Sequence, residues 1–61
     1  MTVYVIEYDR PRGDVVLRRF GKHPVLASGP SIDAVKEKAR ELLVGPCEVR
    51  VSGTDERWTV G

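Results

Sequence analysis

Covalent and metal cross-links have almost no raw material in this chain. Of its 61 residues, one is a cysteine, Cys47, and one a histidine, His23. A lone thiol closes no intramolecular disulfide, and the pair falls short of the four ligands a structural zinc site takes. Long apolar runs are missing too: the longest continue for a few residues, far below the ~20 that span a bilayer. The N-terminal Met1 to Glu7 has no basic leader ahead of an apolar stretch, and a single thiol suits a reducing compartment. The expected location is cytoplasmic.

Catalytic signatures are equally sparse. There is no phosphate-cradling glycine loop, nucleophile elbow, metal-ligand cluster or protected pair of carboxylates. The expectation is a protein with no catalytic, cofactor-binding or metal-binding residues, and not an enzyme. The length suits one domain, residues 1–61. A chain this short buries only ~60% of the surface its unfolded form exposes. Without disulfide or metal, it relies on good packing or on a partner chain.

What is present is mostly strand and helix patterning. Thr2 to Tyr8 is rich in Val, Tyr and Ile, with Tyr4, Ile6 and Tyr8 on one face and Val3 and Val5 on the other. Asp9-Arg10-Pro11-Arg12-Gly13 supplies turn chemistry. Asp14 to Phe20 reads as the second strand of a hairpin, with Val15 and Leu17 opposite Val16 and Phe20. Val25-Leu26-Ala27 is a candidate short extended piece between two breaks.

Ser31 suits an N-cap, because its hydroxyl can accept from a free first-turn N–H. Asp33 adds negative charge at the positive end of the macrodipole. Ile32, Val35, Ala39, Leu42 and Leu43 then form one apolar stripe. Gly45 is a candidate for the residue closing the helix, and Pro46 cannot continue it. The spacing predicts a helix over 31–44. Cys47, Val49 and Val51 alternate with Glu48 and Arg50, Ser52-Gly53-Thr54-Asp55 reads as a turn, and Arg57 to Val60 alternates again.

The predicted fold is α+β: an antiparallel sheet of three or four strands in ββαββ order, with one helix packed on one face. The predicted core is Tyr4, Ile6, Val35, Ala39, Leu42, Leu43, Val49, Val51 and Trp58, and Cys47 reads as a buried core thiol. A helix with one stripe covers one face of a sheet. Val3, Val5, Val16 and Phe20 are thereby left on the uncovered side, as an apolar patch and candidate dimer interface.

Charge is unevenly placed. Residues 9–23 hold five basic side chains, Arg10, Arg12, Arg18, Arg19 and Lys22, against Asp9 and Asp14. These five are candidate nucleic-acid contacts, since arginine neutralises phosphate and the nearby Tyr4, Tyr8 and Phe20 have faces that stack on bases. Arg18 and Arg19 point to opposite faces, so solvated hairpin charge is the competing reading. On the helix, Asp33–Lys36, Glu37–Arg40 and Lys38–Glu41 have the spacing of ion pairs.

Tyr4-Val5-Ile6, the polar hairpin, the helix from Ile32 to Leu43 opening on Ser31-Ile32-Asp33-Ala34-Val35, and the closing Val49-Arg50-Val51 resemble small bacterial ββαββ domains of unknown function. That resemblance implies a fold and no activity. A looser likeness is to the arm-binding domains of phage integrases, in which a three-stranded sheet packed on a helix inserts into DNA. The leading functional expectation is a small non-catalytic interaction module, a homodimer formed through the first hairpin. The alternative is a nucleic-acid-binding protein using residues 10–22.

Overall fold

The computed structural model describes all residues, 1–61. It is α+β, with strands β1 (Thr2–Asp9), β2 (Asp14–Arg19) and β3 (Val25–Gly29), helix α1 (Ile32–Leu42), and strands β4 (Cys47–Val51) and β5 (Arg57–Val60). The strands form one sheet in the order β3-β2-β1-β4-β5. Two expectations are corrected. The sheet has five strands, because the candidate piece at Val25 is a full member. It is also mixed, because β1 and β4 pair in parallel, with Tyr4 opposite Val49 and Ile6 opposite Val51. The other three ladders are antiparallel. The physical reason lies in β3. It returns the chain to the direction of β1, and the helix carries it across the sheet to a parallel position.

Register assigns the faces. Ile6 pairs with Leu17, Tyr8 with Val15, and Leu17 with Ala27. Of these, Ile6, Val15 and Leu17 meet Val35 and Ala39 of the helix in a core completed by Val49 and Val51, while Tyr8 is exposed. Tyr4, Ala27, Ile32, Leu43 and Trp58 pack on its margin. Cys47 is buried as a free thiol. Val15 and Leu17 thus join the core, and Leu42, expected there, is about half exposed. The helix lies over β3, β2 and β1, which brings Val35 and Ala39 inward and turns Leu42 to the flank.

The N-cap forms as the sequence dictates: the Ala34 N–H donates to Ser31 Oγ at 3.2 Å. The helix ends earlier than 44, with Leu43 as an extended C-cap whose N–H donates to the Ala39 carbonyl at 2.9 Å. Val44 is exposed beyond it. Gly45 has a role other than helix closure. A Cβ built on it would collide with the Val60 carbonyl and the Gly61 Cα, so the absence of a side chain lets the β5 end pass against the helix exit. The following Gly45–Pro46 bond is cis. Gly13 does what its turn requires. Its φ is +78°, and its N–H returns to the Asp9 carbonyl at 2.8 Å, closing the hairpin.

Two substitutions separate these effects in urea unfolding. Ser31→Ala removes one cap bond and is expected to lower stability by ~1 kcal/mol. Gly45→Ala forces backbone apart and is expected to cost more, ~2–3 kcal/mol, with the larger share of amide-exchange protection lost in β5.

Candidate interaction surface

The face of the sheet away from the helix carries a lattice of charges. Across the strands, one row reads Arg57, Arg50, Val5, Arg18 and Val25. Arg18 is the most heavily used. Its guanidinium donates to Asp9 Oδ2 at 2.6 Å, to Glu7 Oε1 at 2.9 Å and, through Nε, to the His23 carbonyl at 2.9 Å. Val16 stands beside this cluster, opposite Glu7 on one strand and Ser28 on the other. It is fully buried although it lies outside the main core. Arg50 Nε donates to Glu48 at 2.5 Å, offsetting the like charge of Arg57 directly opposite it. Arg18, Arg50 and Arg57 therefore share this face with Glu7, Asp9, Glu48 and Asp14, the last opposite Asp9 and paired with Arg12.

Of the four residues of the expected apolar dimer patch, Val16 is fully buried and Val3 and Val5 are half-buried. Phe20 alone stands well out, 64% exposed, past the end of β2, with its N–H donating to the Val3 carbonyl at 2.8 Å. Sequence patterning places the valines on a face, but it does not report that Val16 is fully buried there.

Of the five basic residues of the first hairpin, Arg18, Arg19 and Lys22 line one hollow of about 290 Å³ together with Val5, Glu7 and Phe20, while Arg10 and Arg12 lie outside it. Arg12 forms a two-pronged contact with Asp14, at 3.1 and 3.3 Å, and Arg18 makes the three hydrogen bonds described. Arg10 sits in the β1–β2 turn, Lys22 in the turn at the opposite end of β2, and Arg19 faces the helix side, opposite Tyr4. On the helix, only Glu37–Arg40 of the three spaced pairs forms, at 3.0 Å, and Arg40 also lies over the Trp58 ring, 5.1 Å from its centre. Lys36 pairs with Glu56 across the structure instead, and Lys38 donates to the Ser28 carbonyl at 2.5 Å.

The surface that sequence reasoning missed lies along β3. This strand is a sheet edge, and a groove of about 280 Å³ runs between it and the helix, lined by Leu26, Ala27, Lys38, Glu41 and Leu42. Leu26 is 43% and Leu42 53% exposed. Leu26 reaches this side because the β2–β3 register slips: Leu17 faces Ala27, and the next pair is Arg18 with Val25. The extra residue of such a bulge re-aims its side chain. A larger hollow, about 400 Å³, lies at the β4–β5 turn, but Arg50, Thr54, Asp55, Glu56 and Arg57 give it no apolar wall. No group of three His, Cys, Asp or Glu side chains is placed to hold a metal ion, and no helix is long and apolar enough to cross a membrane. Compared with protein-family models, with curated proteins and with solved structures, the chain matches none.

The Arg18 hydrogen bond holds the Asp9 carboxyl below its usual range, against the opposing pull of burial and with help from the Arg12 amide. A carboxyl depressed in the folded state stabilises above its unfolded pKa, and that contribution fades as pH falls through the folded value. Wild-type stability is therefore expected to decline below about pH 4. Asp9→Asn should be less stable at neutral pH and show a shallower acid limb in urea titrations repeated across pH; equal slopes would contradict the assignment.

Proposed function

We propose that this chain is a non-catalytic interaction module that self-associates, and that its contact surface is the β3 edge with the adjoining groove rather than the outer face of the first hairpin. One observation carries the reading. Leu26 and Leu42 are exposed side by side, next to a strand with an unpaired side. An edge strand offers a row of backbone donors and acceptors to another strand. Leu26 and Leu42 add apolar area to that row, the combination by which strands dock onto sheets. The small core, nine buried residues, adds a motive, since a chain of this size gains stability from a partner.

The nucleic-acid reading is the runner-up. It rests on Arg10, Arg19 and Lys22, with Phe20 beside the last two, and requires binding that weakens steeply with salt.

Sedimentation equilibrium over micromolar to millimolar concentrations tests the proposal. The expected result is a reversible dimer that Leu26→Glu weakens about tenfold or more and Val3→Asp leaves intact. A chain that stays monomeric throughout, or a dimer sensitive to Val3 and indifferent to Leu26, would overturn it.

A further inference from the structure

Two charged side chains line the groove without an ionic partner in the chain. Lys38 spends one of its three donors on the Ser28 carbonyl. Glu41, one turn further on, meets no cation. They have the helical spacing of a pair, yet Lys38 turns toward β3 instead.

Their level along the groove can be read from the packing. A Cβ placed on Gly29 would lie 3.2 Å from the Ala34 Cβ, whereas Leu26 and Ala27 share the groove with Lys38, Glu41 and Leu42. The helix therefore runs antiparallel to β3. Three residues of strand advance ~10 Å and seven of helix ~10.5 Å, so the two elements keep pace. The helical level beside Ala27 is the turn between Lys38 and Glu41.

A two-fold axis is the symmetry that joins an edge strand to a second copy of itself in antiparallel fashion, and it makes one patch complementary to itself. We propose that a second copy of this chain docks about a two-fold axis beside Ala27, so that Lys38 of each copy meets Glu41 of the other. This rests on the self-association surface proposed above. The same axis sets Leu26 next to the partner's Ser28 and merges the two sheets into one. A cation and an anion equidistant from the axis attract across it. Displacing the register brings like charges together, so the two residues select the alignment as well as favouring it.

Charge exchange tests the arrangement on the full chain by sedimentation. Lys38→Glu and Glu41→Lys each turn both cross-axis pairs into like charges and are expected to weaken the dimer about tenfold. The double variant K38E/E41K restores opposite charges and is expected to return close to wild-type affinity. Glu41→Lys keeps the Lys38–Ser28 bond, so it reports on the interface even where Lys38→Glu perturbs the fold, and circular dichroism verifies that each variant is folded. Recovery in the double variant supports the axis. A dimer broken by Leu26→Glu but indifferent to all three charge variants, or a double variant no better than the singles, overturns the axis and leaves the surface standing. A wild-type chain that never dimerises overturns both.

Discussion

The parallel ladder between Thr2–Ile6 and Cys47–Val51 holds the molecule together. On one side of it stand β1, β2 and β3, joined by consecutive turns. On the other stands the β4–β5 hairpin. The ladder is the backbone connection between these groups, apart from Ser52, whose N–H donates to the Ile6 carbonyl at 2.9 Å. A parallel pair cannot be closed by a tight turn, so the chain must cross the sheet between β3 and β4. That crossing is α1. The helix is thus placed by the ladder as much as by its own apolar stripe, and Val35 and Ala39 fill the space over Ile6 and Leu17 because the crossing passes there.

A single short helix cannot cover five strands on both sides. The outer face is finished with charge instead: Arg18 folds over beside Val16, Arg50 is offset by Glu48, and only half-buried valines remain between them. The edges are left. At β5, Arg57 and Thr59 are exposed and charge or polarity discourages pairing. At β3, the bulge and the Lys38 bond to Ser28 shape the edge but leave Leu26 and Leu42 beside it in the open. The two edges therefore differ in the apolar area they offer beside an unpaired strand.

Local chemistry was legible in the residues. Ser31 caps the helix, the Gly13 turn closes the first hairpin, Cys47, Val49 and Val51 point inward, and Cys47 is buried. Strand direction was not, because alternation in β4 looks alike in either orientation. The signal was nonetheless there. A strand before the helix and another after it form a βαβ unit, whose strands default to parallel, and a three-residue extended piece was too slight to claim that role. Burial on the outer face was not legible, for a different reason. Facing is a property of spacing, but burial depends on where long side chains lie, and Arg18 chooses Glu7 and Asp9 only in the folded geometry. The groove depends on one slipped register between Ala27 and Val25, which no spacing rule reports.

The parallel ladder also has a temporal side. It pairs residues 45 apart in sequence, Thr2 with Cys47 and Ile6 with Val51, so its loop takes in about three quarters of the chain. Pairings of that span carry a large closure entropy and raise contact order, which slows folding relative to the neighbouring hairpins. The β1–β2 hairpin is local and can form early, with the third strand adding to it. Until β4 arrives, the strand destined for the centre of the sheet is itself an edge, presenting Val3 and Val5 along an open backbone. Pairing with β4 turns that open border into the interior of the sheet.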